Sequence, residues 1–113
     1  MRLPPWPLAW SLDPRKIGEY LLNEGHVEGG AKARFFIKFG FTTGSPDHLA
    51  YAILKHAQPE TYVGEAISAF GDVKYVFEGS IDAPDGRKPR VRTVWRIDGR
   101  RTAHFVTAVP LRT

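Results

Sequence analysis

The stretch VRTVWRIDGRRTAHFVTAV, residues 91–109, decides the fold. A spacing of two places four mostly apolar residues on one face of a strand: Val91, Thr93, Trp95 and Ile97. The opposite face carries Arg90, Arg92 and Arg96. Asp98-Gly99 is typical of a hairpin turn, and a last strand is predicted over about 102–109. These residues therefore predict an antiparallel hairpin with one apolar face.

Upstream of this hairpin, the spacing of the apolar residues changes at Gly71 from helical to alternating. After Gly71, alternate apolar residues predict another strand, and Pro84-Asp85-Gly86 predicts the turn that follows it. The face of that strand is formed by Val73, Tyr75, Phe77 and Ile81. Before Gly71, the spacing is helical. Four segments are predicted there: residues 14–23, residues 30–39, a helix that starts at Ser45-Pro46-Asp47, and a short turn or helix over 59–67.

Helices followed by strands are typical of an α+β domain. We expect the N-terminal helices to pack on one face of a C-terminal antiparallel sheet of three to four strands. The face that carries the arginines then points to solvent or to a ligand. Residues 1–13 are rich in proline and tryptophan, which predicts an extended arm that Trp6 and Trp10 pack onto the domain. Residues 14–113 are predicted to be a single α+β domain.

The composition is that of a globular protein with a mild excess of positive charge. Of 113 residues, 42% are hydrophobic and 25% are charged, which excludes wholesale disorder. There is no apolar run long enough for a membrane span, so the chain is expected to be cytoplasmic, or to be delivered elsewhere by another module. The net charge of +4 and the pI near 9.6 favour a polyanionic partner such as nucleic acid, or an acidic inhibitor protein.

Several chemistries are excluded by what the sequence lacks. Without cysteine, neither a disulfide framework nor a thiolate zinc site can form. The four histidines are scattered, and the acidic residues do not follow a metal-binding pattern. There is no phosphate-binding glycine loop and no serine in a nucleophile elbow. We therefore expect neither a metal nor a cofactor.

Lys32 breaks two local rules of the second predicted helix. On a helical wheel it lies within the arc of Phe35, Phe36 and Phe39, where an apolar residue is expected. It also lies in the first turn, where a cation opposes the helix dipole. One interpretation is an amine that binds a phosphate beside the sheet. The other is a lysine stem packed at the rim of the core with its amine in water.

His26 lies in the glycine-rich segment ahead of this helix. The flanking glycines let the backbone approach a ligand, and the amides at the start of the helix favour an anion. Glu28 opposes phosphate binding in the same segment. His26 and Lys32 together form a candidate site, and an incidental loop histidine is the alternative.

Two threonines of the last hairpin are further candidates. Thr93 and Thr107 are either ordinary β-branched strand residues or polar groups of a site. The register of the hairpin decides which residues lie beside them. A two-residue Asp98-Gly99 turn pairs Thr93 with His104, whereas a three-residue loop places Thr93 opposite Phe105. The turn chemistry favours the first and the apolar pattern favours the second, so both stay open.

Six segments of the chain carry a family resemblance: KIGEYLLN (16–23), HVEGGAKARFF (26–36), FGF (39–41), GDVKYV (71–76), DGRKPRVRTVW (85–95) and FVTAVP (105–110). They resemble an uncharacterised bacterial domain family. That family looks like the toxin domains of secreted polymorphic toxins and phage head-associated proteins, which also occur as small proteins beside candidate antitoxins. Those domains are in turn similar to the barnase–EndoU–colicin–RelE group of small ribonucleases.

The resemblance implies metal-independent cleavage of RNA, in which a 2′-hydroxyl attacks the adjacent phosphate and leaves a cyclic phosphate. His26 would serve as general base or acid. Lys32 and Arg92 would stabilise charge on the phosphate, and Thr93 and Thr107 would donate hydrogen bonds to its oxygens. Further substrate contacts would come from Tyr75, Trp95, Arg90, Arg96 and His104. A cognate antitoxin or immunity protein is the implied protein partner, and it should be acidic.

The same residues allow two other hypotheses. The chain is alternatively a non-catalytic binding module, either an antitoxin or an accessory domain, that uses the same basic groove for protein or nucleic acid. A purely structural domain is the third hypothesis. Fold resemblance does not decide among them, because function depends on the site.

Overall fold

The computed structural model, which describes residues 6–18, 22–23, 25 and 30–111, has three α-helices and a five-stranded sheet in that part of the chain. The helices are α1 (Pro14–Lys16), α2 (Gly30–Lys38) and α3 (Pro46–His56), and a 3₁₀ turn follows over Pro59–Thr61. The strands are β1 (Ala9–Ser11), β2 (Tyr62–Ile67), β3 (Val73–Ser80), β4 (Arg90–Ile97) and β5 (Thr102–Pro110).

The strands are ordered β1-β5-β4-β3-β2 across the sheet. Strand β1 pairs in parallel with β5, and the other neighbours are antiparallel. The α+β class is thus confirmed, while the prediction of three to four antiparallel strands is corrected to five strands in a mixed sheet. The strand β1 lies within the segment predicted as an arm. The strand β2 lies within the segment 59–67, for which a turn or helix was predicted, and a bulge between Tyr62 and Gly64 interrupts its alternation.

Local signals fix where the helices begin and end. The Asp13 side chain accepts a hydrogen bond of 2.9 Å from the backbone N–H of Arg15, and Pro14 occupies the first turn, as an N-cap and N1 pair should. Regular α-helix ends at Lys16, and the chain continues as a π-helical turn over residues 17–18, where the Leu22 N–H donates to the Ile17 carbonyl at 2.8 Å. The helix was predicted to run to about Asn23, and residues 19–21 of that stretch lie outside the described part. Helix α2 ends at Lys38, two residues before Gly40. Gly40 has a φ of 102°, a backbone conformation that residues other than glycine rarely adopt.

The helices pack on one face of the sheet, and the core lies between them. The core includes Phe36 of α2, Leu49 and Ile53 of α3, and Phe77, Trp95, Phe105 and Ala108 of the strands. Trp10 of β1 joins this core, because its ring lies edge-on to Trp95 with the centroids 5.0 Å apart. Trp6 packs against Phe77 in the same way, at 5.9 Å. The end of the proline-rich segment is therefore part of the packed domain.

The β4–β5 hairpin has neither of the two registers that the sequence left open. Trp95 lies opposite Phe105, and a bulge then shifts the pairing so that Thr93 lies opposite Ala108. The turn is longer than two residues because Asp98 pairs with Thr102, the Asp98 N–H bonding the Thr102 carbonyl at 3.1 Å. Arg101 takes a left-handed φ of 62°, which is typical of a three-residue hairpin loop.

Candidate functional site

The face of the sheet opposite the helices carries a row of three basic side chains. In register, Lys74 of β3 lies opposite Arg96 of β4, and Arg96 lies opposite His104 of β5. We call these three residues the basic row. Like charges directly opposite one another destabilise a sheet, so packing and pairing give no reason for Lys74 and Arg96 to be neighbours. Within the described ranges, neither of these two side chains has an ion-pair or hydrogen-bond partner.

The rows beside the basic row are partly apolar and partly ion-paired. Val76 pairs with Val94, and Val94 with Thr107, which places Thr107 on this open face. One row further along, Arg92 Nε donates to Glu78 Oε2 at 2.6 Å. The charge of Arg92 is thus partly neutralised. Arg90, at the end of the face, is exposed and lies opposite Ser80 in the strand register.

His104 is held by the acidic residue of the hairpin turn. Its Nε2 lies 2.8 Å from Asp98 Oδ2, and the two side chains are 34% and 30% exposed. The other Asp98 oxygen accepts the backbone N–H groups of Arg100 and Thr102, each at 2.9 Å. The hydrogen bond from His104, followed by these backbone donors, lowers the pKa of Asp98 from 3.8 to about 2. Asp98 is therefore an ionised acceptor at neutral pH.

Two lysine amines from the helices reach the second half of β5. Lys32 Nζ donates to Thr107 Oγ1 at 3.3 Å. Lys16 Nζ donates to the Phe105 carbonyl at 3.2 Å and lies 5.5 Å from the centroid of that ring. The strand β1 pairs only with residues 102–104, so these contacts fall beyond its ladder. Lys32 thus lies at the sheet, as the predicted phosphate site requires, and it is half-buried, as the packed-stem interpretation requires. His26 lies outside the described residues.

Three predicted site residues lie on the core face instead. Thr93 is fully buried, and its hydroxyl accepts a hydrogen bond of 3.0 Å from Trp95 Nε1. Trp95 is fully buried as well, and Tyr75 is 4% exposed. Adjacent strand residues point to opposite faces, so these side chains lie on the other side of the sheet from the basic row. A base or phosphate cannot contact them in this arrangement.

Sequence reasoning missed Lys16, Lys74 and Asp98 as site residues. Lys74 alternates with the core residues of β3, but its position opposite Arg96 depends on the strand register. Asp98 was assigned only to the turn. Its role could have been recognised from the sequence, because a carboxylate six residues before a histidine in one hairpin can lie close to it. Lys16 gave no signal, because its contact with Phe105 spans 89 positions.

The described residues hold no group of three metal-ligating side chains. Within the same ranges, none of the helices has the length and apolar character needed to cross a bilayer.

The fold and the open face define a small α+β domain with a basic sheet surface. The family model described as Domain of unknown function (DUF6883) matches residues 3–112, and the chain belongs to this family. No curated protein matches the sequence. Among solved structures, the chain is similar to a chain of the contact-dependent growth inhibition toxin–immunity protein complex from Klebsiella pneumoniae 342. The TM-score is 0.68 at 13% identity, over 88% of this chain and 97% of that one, so the likeness shows a shared fold.

Proposed function

We propose that the chain is a small toxin that cleaves RNA without a metal, by attack of a 2′-hydroxyl on the adjacent phosphate. The observation that carries this proposal is the basic row on the open face of the sheet. Lys74 and Arg96 of this row have no ion-pair or hydrogen-bond partner among the described residues, and such cations are suited to a polyanion, because each contacted phosphate releases condensed counterions. The row is also solvent-accessible, as a substrate surface must be.

Lys32 and Thr107 would hold the phosphate at which cleavage occurs. Their side chains are already in contact at 3.3 Å, and Thr107 belongs to the same face as the basic row. An ammonium and a hydroxyl both donate hydrogen bonds to phosphate oxygens and stabilise the charge that develops there. Lys16 adds a second ammonium two strand positions away, at Phe105. His26 is kept as a candidate proton donor or acceptor on the resemblance alone.

The remaining predicted residues divide by face. Arg90, Arg92 and Arg96 belong to the open face and would bind the RNA backbone, with Arg92 weakened by Glu78. Thr93, Trp95 and Tyr75 are removed from direct substrate contact, because they are buried among the helices and the sheet. Base stacking on these aromatic rings is therefore no part of the proposal.

The likeness to a chain of a toxin–immunity complex supports a role in such a pair. In this proposal, the protein partner is an antitoxin or immunity protein that neutralises the toxin. An acidic partner would match the net charge of +4 and the basic row.

A second candidate function is a non-catalytic binding module, such as an immunity protein or antitoxin. It is favoured by a groove of about 390 Å³ on the open face, next to the edge strand β2. The groove is lined mainly by small and apolar residues: Val63, Gly64, Ala66, Val76 and Val94, with Glu65, Glu78 and Arg92. Apolar surface of this kind suits a protein partner better than a phosphate backbone.

The test compares the open face with an equal loss of charge elsewhere. Purified protein is incubated with single-stranded RNA in excess EDTA, and binding and cleavage are followed as salt is varied. The double variant Lys74→Gln/Arg96→Gln should bind RNA with a salt slope reduced by about 1.4, which corresponds to two lost contacts on a single strand. The control Lys38→Gln/Arg34→Gln removes one lysine and one arginine from the exposed side of α2 and should change little.

The outcomes separate the two candidates. Cleavage by the wild type with a selective loss in the open-face variant supports the toxin. RNA left intact by folded wild-type protein, together with normal growth of cells that express it, overturns the toxin proposal and leaves the binding module.

A further inference from the structure

We infer that Asp98 and His104 form a proton-transfer pair on the open face, in which His104 Nδ1 takes the proton of an RNA 2′-hydroxyl. This inference rests on the proposed function and assigns its general base. It makes His104 a catalytic residue and Asp98 the residue that positions it.

The hydrogen bond between the two side chains fixes the tautomer of His104. Asp98 is ionised, so its carboxylate can only accept, and Nε2 at 2.8 Å must carry the hydrogen. A neutral imidazole with its proton on Nε2 has its lone pair on Nδ1. Within the described residues, Nδ1 has no hydrogen-bond partner, and the His104 side chain is one-third exposed. His104 Nδ1 is therefore available to accept a proton.

Asp98 is itself held firmly, which a positioning residue requires. One carboxylate oxygen accepts two backbone N–H groups at 2.9 Å, and the other accepts His104. The turn is closed by the backbone bonds from Arg101 to Asp98 and from Asp98 to Thr102. A base oriented by a fixed carboxylate is the arrangement that recurs in nucleophile activation.

The neighbours of His104 would place a phosphate beside it. Across the sheet, its partner in β4 is Arg96, and Lys74 of β3 follows in the same row. On the other side, Ser11 of β1 lies in register with His104. Asp98 is the acidic group that contacts His104 among the described residues. A phosphate bound by Arg96 and Lys74, next to the cleaved phosphate at Lys32 and Thr107, would bring the ribose between them, and its 2′-hydroxyl, to the histidine.

The step balances without a further reagent. His104 Nδ1 accepts the 2′-hydroxyl proton, and the O2′ electron pair forms the new bond to phosphorus. The bond between phosphorus and O5′ breaks, and O5′ takes a proton from water. The imidazolium returns its proton to the hydroxide so formed. The products are a 2′,3′-cyclic phosphate and a free 5′-hydroxyl.

The test is the pH dependence of single-turnover cleavage by His104→Gln, with RNA binding measured in parallel. We expect cleavage to fall at least about 100-fold at neutral pH, the typical contribution of a general base, with binding changed less than threefold. The part of the wild-type pH dependence that comes from this proton transfer should be absent in the variant. The control is His48→Gln, an exposed histidine of α3 that should keep both rate and profile.

Asp98→Asn provides a second variant with the same readout. The amide keeps an oxygen for the two backbone N–H groups but no longer fixes the Nε2 proton, so cleavage should fall while binding is kept. It also serves as the test if His104→Gln does not fold by circular dichroism.

Each alternative result overturns the inference in a recognisable way. Normal cleavage by both variants, while wild type cleaves RNA, refutes the pair and leaves the proposed function intact. Equal losses of binding and cleavage make His104 a binding group only. Cleavage that His26→Gln abolishes and His104→Gln keeps assigns the base to His26. Wild type that cannot cleave RNA overturns both proposals.

Discussion

The two faces of the sheet differ in what holds their cross-strand neighbours together. On the core face, Tyr75, Trp95 and Phe105 lie opposite one another in a row, and the rings of the last two pack at 5.3 Å. One residue along, the open face places Lys74, Arg96 and His104 in a row. Aromatic pairs stabilise a sheet, whereas like charges oppose it. Folding accounts for the first row, so the second is where we expect function.

This comparison predicts opposite phenotypes for neighbouring residues. A change on the core face should destabilise the domain without a specific effect on RNA binding. A change on the open face should weaken RNA binding and leave the stability of the domain nearly unchanged.

The largest effect is expected for Trp95→Ala. Trp95 is fully buried against Trp10 and Phe105, so truncation should lower the free energy of unfolding by about 3–5 kcal/mol, measured by urea denaturation. Arg96→Ala, one residue away on the open face, should change it by less than about 0.5 kcal/mol and should weaken RNA binding. A large loss of stability in Arg96→Ala would contradict the division between the faces.

Thr93→Val should give the next largest loss of stability. The change keeps the shape of the side chain but removes the acceptor of the Trp95 indole N–H, leaving a buried donor unsatisfied at a cost of about 1–3 kcal/mol. Specific cleavage by the folded fraction should stay normal. Thr107→Val is the matched control, because it removes a hydroxyl at Lys32 instead and should reduce cleavage more than stability. If Thr93→Val impairs cleavage at full stability, Thr93 belongs to the site after all.

How much of this could be predicted from the sequence depends on how far apart the interacting residues lie. The helix start at Asp13-Pro14 and the apolar face of residues 91–97 follow from local rules, and both are observed. The strand β1 is three residues long and exists through its contact with β5, about 90 positions away, so no local pattern shows it. The strand β2 is an edge strand with a bulge, and its alternation is lost.

The candidate site was only partly predictable for the same reason. Lys32 was identified by its conflict with the helical wheel, a local feature, and it does contact the predicted Thr107. The basic row needs the register of three strands, and the bulge between Val94 and Trp95 could not be anticipated. Without a register, the sequence does not separate the residues of the two faces, so Thr93 and Trp95 are predicted in the same site as Arg96.

A smaller effect on stability is expected at acid pH, where Asp98 of the hairpin turn becomes protonated. The pKa of Asp98 is lowered to about 2 in the folded state, so its contribution to stability is complete above its ordinary value of 3.8. That contribution is lost as the pH falls from about 4 towards 2. The difference in unfolding free energy between wild type and Asp98→Asn should therefore shrink over this interval, measured by denaturation at each pH. A difference that is constant from pH 6 to pH 2 would mean that the ionised Asp98 carboxylate does not stabilise the hairpin.

The smallest change in stability is expected for Glu78→Gln. This variant tests whether the positive charge of the open face determines RNA binding. The ion pair between Glu78 and Arg92 is partly exposed, so its loss should cost at most about 1 kcal/mol. Removing the carboxylate releases Arg92 and makes the face more positive, so RNA should bind more tightly, and the gain should shrink as salt rises. Val63→Gln on the neighbouring edge strand, which leaves the charge unchanged, is the control. Weaker binding by Glu78→Gln would mean that the carboxylate positions Arg92 for the substrate, and that the geometry of the face matters more than its net charge.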